Sequence, residues 1–275
     1  MSKNILLLGS NGYLGNQIKA NLNQHYTIFE LNRKEIQSFN FNKNEELFNG
    51  VTFHFFVNAI VEYHETTSIS EIIKSNYLIS FELLTVIKKS IDFKIFHFDS
   101  FYSKFYSPDT PSSYLLSKKN LVEWSKVYQF KEKHVTTFVL SLEHVIGAKE
   151  SEKKFNGWLL NKLKNNECIE LGPCNHSFDF VYIDDIVKAV SMLMDTKKLK
   201  NSFNYLEVGS GKSYQLKTFV NLLKSKLNSE SKITFNKNIQ TDLYKNQSSI
   251  ANSKELMDLG WNPKSNLNEI IDLIL

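Results

Sequence analysis

An apolar run, Ile5-Leu-Leu-Leu8, passes directly into Gly9-Ser-Asn-Gly-Tyr-Leu-Gly15. A run without polar alternation is the pattern of a strand buried on both faces of a parallel sheet. Ile18 and Leu22, four apart, then give residues 16–22 helical spacing. Strand, glycine turn and helix in that order present backbone N–H groups to a diphosphate at the helix N-terminus. Glycine meets three demands there: the sharp turn, close approach of phosphates to the backbone, and tight packing of helix on strand. The chain has 10 glycines, and three of them are Gly9, Gly12 and Gly15, a clustering that lifts the match above a chance hit. The loop, with Asn11, Tyr13 and Leu14 between its glycines, is the expected cradle of a dinucleotide.

The rest of the chain alternates strands and helices. Strands are expected at residues 26–31, 53–57, 94–98, 136–142, 177–183, 203–208 and 233–235. Helices are expected at about 69–89, 114–124 (with Leu121 and Trp124 on one side), 155–163, 186–194, 216–227 and 254–259. This alternation predicts an α/β chain with a Rossmann-type, doubly wound parallel sheet. The expected division is a dinucleotide-binding domain at 1–147, completed by about 181–210. A smaller, discontinuous substrate-binding lobe is expected at 148–180 and 211–275.

Arg33 is the only arginine in the chain. It follows Asn32 at the end of the second expected strand, the place where an acid reads the ribose 2′-hydroxyl of NAD or an arginine accommodates the 2′-phosphate of NADP. No acid stands at that tip; Glu30, the competing candidate, lies inside the strand. Asn32 and Arg33 therefore predict NADP(H) over NAD(H), with a solvated surface arginine as the plainer alternative.

Tyr114 and Lys118 lie four apart on an expected helix, hence on one face. A phenol with a pKa near 10 is a poor proton donor or acceptor at neutral pH. A neighbouring ammonium favours the phenolate and lowers that pKa. Such a tyrosine can protonate the oxygen formed when hydride reaches a ketone. This is the only Tyr-x-x-x-Lys among 12 tyrosines.

Gly9-x-x-Gly12-x-x-Gly15, Asn58-Ala59, Asn76, Tyr102, Tyr114-x-x-x-Lys118, Asp184-Asp185 and Leu259-Gly-Trp-Asn-Pro263 occur in the order found in extended short-chain dehydrogenases/reductases. Over essentially its whole length the chain resembles the NAD-dependent epimerase/dehydratase family that acts on nucleotide sugars. Ser113–Trp124, Phe180–Asp185 and Glu207–Lys212 are similar to the CDP-abequose synthase-like branch of 4-keto-sugar reductases. The resemblance implies that Tyr114 is the acid/base, with Lys118 as its tuner and ribose anchor. It implies Asn58 and Ala59 at the cofactor, and Asn76 near the active site with Asp99, His144 and Lys245 on the substrate side. Four residues before Tyr102, where the family carries a catalytic Ser or Thr, stands Phe98. Ser100, on the same strand face by period-two alternation, either supplies the hydroxyl or is an ordinary loop serine. Phe178 replaces a frequent family arginine, and Lys245 can serve a diphosphate as a point charge but not as a bidentate fork.

The function implied is an enzyme, an NADPH-dependent reductase of a 4-keto nucleotide-linked deoxyhexose or heptose, serving surface-polysaccharide precursors. A 4-epimerase with retained NAD and a non-catalytic NADP-binding regulator are the alternatives. A dehydratase would carry Asp-Glu where this chain has Asp99-Ser100. Composition closes off other classes. Net charge is +4 with lysines spread along the chain, which gives nucleic acid no basic patch. No run approaches a membrane span, and no leader peptide is expected. Cys168 and Cys174 have no metal spacing and suggest a reduced, cytoplasmic setting; no metal is expected. A homodimer is the family's expectation.

Overall fold

The computed structural model describes residues 2–38, 48, 50–63, 67–109, 111–199, 201–239 and 247–275, with Arg33, Gln37 and Ser38 as backbone only. Its first elements are β1 (Lys3–Leu8), α1 (Tyr13–Leu22), β2 (Tyr26–Leu31), α2 (Arg33–Ser38) and β3 (Thr52–Asn58). Helix α3 (Ile69–Ile73) enters a π-helical turn (Lys74–Leu78) and continues as α4 (Ile79–Val86). Next come β4 (Lys88–Ser100), a 3-10 turn (Phe101–Phe105), α5 (Ser113–Lys131) and β5 (Thr136–Leu142). The chain goes on through β6 (His144–Ile146), α6 (Phe155–Lys164), β7 (Ile169–Leu171), β8 (Ser177–Tyr182) and α7 (Ile183–Asp195). It closes with β9 (Phe203–Val208), β10 (Ser213–Gln215), α8 (Leu216–Lys226), β11 (Ile233–Phe235), α9 (Lys254–Asp258) and α10 (Leu267–Ile274).

These elements form two compact units. One comprises Met1–Ser141 and Val187–Leu206; the other comprises Leu142–Ile186 and Glu207–Leu275. The first is built on a six-stranded sheet in the order β2-β1-β3-β4-β5-β9. β1 pairs in parallel with both β2 and β3, and β3 in parallel with β4. The chain thus winds one way from β1 to β2 and the other way from β3 onward, so the order reverses beside β1. Open α/β sheets bind ligands at the carboxyl ends of strands at such a reversal. Ile5, Leu6, Leu7 and Leu8 have no exposure at all, as a strand covered on both faces requires. Phe96 stacks on Phe138 across the sheet at 4.9 Å.

The second unit holds a three-stranded sheet, β10-β8-β6, and a two-stranded one, β11-β7. Asp179 of β8 is fully buried and ties three segments together. Its Oδ1 accepts from Ser210 N (2.7 Å) and Ser210 Oγ (2.6 Å), and its Oδ2 from Gly211 N (2.9 Å) and Ala251 N (3.1 Å). Asp185, also fully buried, accepts from Lys264 N at 2.8 Å, while its carbonyl accepts from Trp261 Nε1.

The expected doubly wound sheet is present, and β2, β5, β9 and β11 match their sequence ranges. Three expectations are corrected. The helix expected to reach residue 89 ends at Val86, because Lys88 and Lys89 pair with Thr52 and Phe53 of β3. Leu121 and Trp124 do not share an environment: Leu121 is buried and Trp124 is 53% exposed. Three residues advance a helix by only five-sixths of a turn, and the buried stripe of α5 runs through Lys118, Leu121, Val122 and Ser125. A C-terminal helix, α10, was not among the expected elements, although Asn266 caps it by accepting from Asn268 N.

Candidate active site

The glycine loop occupies the crevice between β1 and β3. Gly9 has φ of +79°, the left-handed region that favours glycine. A Cβ on Gly9 would lie 2.8 Å from Ile60 N and 2.9 Å from the Ala59 carbonyl, so the loop after β3 presses directly on it. Ala59 N donates to Leu8 O at 3.0 Å, and Gly9 N to Leu31 O at 2.9 Å. A Cβ on Gly15 would lie 2.2 Å from Gly9 O, so α1 packs onto the turn with no room for a methyl group. Gly12 is the N-cap of α1, makes no side-chain cap bond, and is followed by a first turn without an acid. An uncapped, acid-free helix start beside exposed Asn11 and Gly12 fits an anion such as a diphosphate.

At the end of β2, Asn32 is an N-cap. Its Oδ1 accepts from Lys34 N (3.0 Å) and Glu35 N (3.2 Å), while its own N–H donates to Glu35 Oε2 at 2.7 Å. The Arg33 side chain lies outside the described atoms. Glu30 pairs with Lys19 at 2.7 Å. Burial raises its pKa, but the Lys19 ammonium and the Ser10 hydroxyl outweigh that and lower it overall.

Asn76 sits in the π-helical turn, fully buried. Its Oδ1 accepts from Glu62 N at 2.6 Å; its Nδ2 donates to Glu62 O at 2.8 Å and to Ser117 Oγ at 2.7 Å. Ser117 Oγ in turn donates to Tyr114 O at 2.7 Å. Both amide protons and the acceptor are thus engaged within the protein. Asn76 is a strut joining the loop after β3 to the first turn of the Tyr114 helix. The extra residue of a π-turn is a recurrent device at functional sites.

Tyr114, half-buried, starts α5, whose cap is Ser112 accepting from Leu115 N. One turn on, Lys118 is 5% exposed, and its Nζ donates to Phe98 O at 2.7 Å. Burial lowers the Lys118 pKa to about 8, with the Asp99 carboxylate pulling it back up. Beneath lies His97, with no exposure. Burial and the Lys118 charge lower its pKa to about 3, so the imidazole is neutral. Its Nδ1 lies 3.4 Å from Asn58 Nδ2, and its Nε2 is buried without a hydrogen-bond partner among the described residues. Asn58 Oδ1 accepts from Ile60 N, so Asn58 shapes the loop against Gly9 from inside. Asn58 is buried, whereas the neighbouring Ala59 is half-buried.

Ser100 ends β4, half-buried, and its Oγ accepts from Tyr102 N at 3.3 Å as the cap of the 3-10 turn. That bond uses an acceptor and leaves the hydroxyl proton for another partner. Phe98, itself buried, accepts from Lys118 Nζ through its carbonyl. Asp99 is 3% exposed; its Oδ2 accepts from Ser103 Oγ (2.7 Å) and Tyr205 OH (2.9 Å). It is therefore an interior residue. Sequence reasoning did not single out His97, Ser117 or Tyr205. Only Ser117, adjacent to Lys118, carried a signal of place.

In the second unit, His144 is half-buried and stacks on Phe178 at 4.6 Å, edge-on to Phe180 at 5.2 Å. Burial lowers its pKa to about 4, with Asn156 opposing through a hydrogen bond. It is an aromatic packing residue there, and Phe178, in place of the family's arginine, is its stacking partner. Lys245 lies outside the described residues. Among the described residues no cluster of His, Cys, Asp or Glu could hold a metal ion.

The model of the NAD dependent epimerase/dehydratase family matches residues 5–209. CDP-abequose synthase of Salmonella muenchen is 30% identical over 293 residues, covering 100% of this chain and 98% of that protein. dTDP-4-dehydro-6-deoxyglucose reductase of Escherichia coli is 30% identical over a shorter stretch, 42% of this chain and 35% of its own. Among solved structures, UDP-glucose 4-epimerase of Thermotoga maritima with UDP-glucose superposes with a TM-score of 0.80, at 18% identity and over 98% and 96% of the two chains. RMD of Pseudomonas aeruginosa with NADPH gives 0.77, at 15% identity and over 99% and 98%.

Proposed function

Because the chain belongs to the NAD dependent epimerase/dehydratase family, we propose that it is an NADPH-dependent reductase of a 4-keto nucleotide-linked deoxyhexose or heptose. The observation that carries the reading is the buried Lys118 ammonium one helical turn from Tyr114, in the same unit as the Gly9–Gly15 cradle. The cofactor, when bound, supplies the hydride. Gly12 and the first turn of α1 hold its diphosphate, and Lys118 holds a ribose hydroxyl. Tyr114 donates its phenolic proton to the C4 oxygen as negative charge develops there. Lys118 stabilises the phenolate left behind. Ser100 keeps its proton and donates a hydrogen bond to the same C4 oxygen, and so orients the carbonyl. Arg33 takes the 2′-phosphate. The full-length similarity to CDP-abequose synthase supports a reductase serving polysaccharide precursors, acting in the reduced setting of the cytoplasm.

The test is NADPH absorbance followed against a panel of CDP-, dTDP-, GDP- and UDP-linked 4-keto sugars. Net oxidation of NADPH with one of them is expected. Interconversion of the matching C4-hydroxy epimers with NAD and no net cofactor change would instead establish an epimerase, and cofactor binding with no turnover a regulator. Tyr114→Phe should cost about 10²–10⁴-fold in turnover with NADPH still bound; near-normal turnover removes the acid role from Tyr114. Arg33→Ala should weaken NADPH far more than NADH, and equal weakening removes Arg33 from the 2′-phosphate. The exposed Trp124, Val127 and Phe130 along α5 suit a helix face that pairs with a second copy, which light scattering checks.

A further inference from the structure

Lys118 Nζ has one described hydrogen-bond partner, the Phe98 carbonyl, which belongs to the peptide leading into Asp99. A buried ammonium keeps its full charge only if an opposite charge offsets the loss of water. Asp99 is the residue placed to do so. It is 3% exposed beside a lysine that is 5% exposed. Ser103 Oγ and Tyr205 OH both donate to Oδ2 and so tie the carboxylate to the 3-10 turn and to β9. Oδ1 is buried with no hydrogen-bond partner among the described residues, so no donor offsets the loss of water at that oxygen. We propose that Asp99 is the fixed counter-charge of Lys118, and through Lys118 a positioning residue for proton transfer at Tyr114. The catalytic half of this inference rests on the reductase reading above; the electrostatic half does not.

Other charges near α5 do not replace it. The elements packed on that helix are α3, the π-turn, the 3-10 turn and β4. They carry Glu71, Lys74, Tyr77, Lys88, Lys89, Asp92, Lys94, His97, Tyr102 and Lys104 besides Asp99, and Tyr114 and Lys119 flank Lys118 on its own helix. Against burial, which lowers the Lys118 pKa to about 8, Asp99 is the one group that raises it. His97 feels the Lys118 charge but is neutral. Tyr205 faces Asp99 as a hydrogen-bond donor, not as a charge.

The experiment follows the isotope-labelled Cε resonance of Lys118, assigned by its loss in Lys118→Met, as pH is varied on the full chain. In Asp99→Asn, which keeps the side chain's shape, the Lys118 midpoint should fall by about 1 pH unit or more. In Ser103→Ala and Tyr205→Phe, which keep the charge, it should stay at the wild-type position. An unmoved midpoint in Asp99→Asn overturns the proposal. A second measurement needs no substitution: the Asp99 Cγ resonance of the wild type should inflect at the Lys118 midpoint, and a flat trace there overturns it equally. With a 4-keto substrate in hand, the kcat profile of Asp99→Asn should lose its alkaline side first, whereas Ser103→Ala lowers kcat without changing the profile's shape. Absence of turnover in the wild type would count against the reductase reading alone, because the resonance titrations do not depend on it.

Discussion

Gly15→Ala tests the packing logic of the cradle. The new Cβ would lie 2.2 Å from Gly9 O, 2.8 Å from Gly9 C and 3.1 Å from Ser10 Cα. All three are backbone atoms, and Gly9 is held in turn by Leu31 O and by the loop at Ala59 and Ile60. No side chain can swing aside, so α1 must retreat by about 1 Å to restore ordinary contact. That retreat loosens Ile18 and Leu22, which α1 buries. Overpacking of this kind costs about 1–3 kcal/mol, and the helix preference for alanine over glycine returns about 1 kcal/mol. A net loss of up to about 2 kcal/mol lowers the melting temperature by up to about 8 °C. Gly12→Ala is the control: its Cβ meets only Gly9 O, at 3.1 Å, so the fold should hardly notice. Both variants should weaken NADPH, Gly12→Ala by obstructing the phosphates and Gly15→Ala by displacing them. Thermal melts and fluorescence titration with NADPH separate the two effects. A Gly15→Ala protein that melts at or above the wild-type temperature and binds NADPH equally would refute the packing argument.

Asn76→Ala removes the bonds to Glu62 N, Glu62 O and Ser117 Oγ, and should cost about 1–3 kcal/mol in urea unfolding together with a fall in turnover. Lys94→Met removes the ammonium that donates to Leu193, Met194 and Thr196 carbonyls at the C-terminal end of α7; a loss of about 1–3 kcal/mol is expected from the same assay. The folded-state pKa of His97, lowered to about 3, makes stability pH-dependent. The contribution is fully present above the unfolded value near 6.5 and is lost as pH falls toward the folded value, at about 1.4 kcal/mol per pH unit. His97→Phe should flatten the urea midpoint between neutral and mildly acid pH; an unchanged slope would show that His97 is not the group responsible.

What was legible in the sequence is what local pattern encodes. The apolar run before Gly9, the glycine spacing and the β-rich runs of β2, β5 and β9 needed no partner to be recognised. Lys88 and Lys89 form strand only because Thr52 and Phe53 lie beside them, which no window on residues 88–89 can reveal. The π-turn adds one residue to a helix whose apolar spacing on either side is ordinary, so the turn that carries Asn76 leaves no mark in the sequence. The surroundings of Asp99 were hidden for a related reason. Alternation puts it on the opposite strand face from Phe98 and Ser100, but only the arrival of Tyr205, far along the chain, makes that face an interior. The aromatic surroundings of His144 come likewise from β8, more than thirty residues away.

The first unit is made of two stretches of chain, with part of the second unit encoded between them. During synthesis, β5 emerges about sixty residues before β9, the strand that covers its outer edge. At about 5–20 residues per second that edge stands open for roughly 3–12 s. An unpaired edge of apolar strand is a template for pairing with another chain. The sheet that carries the cradle therefore cannot be finished until much of its neighbour has been translated. Slow codons placed between residues 142 and 203 should raise the aggregated fraction on expression, whereas the same codons after residue 208 should not.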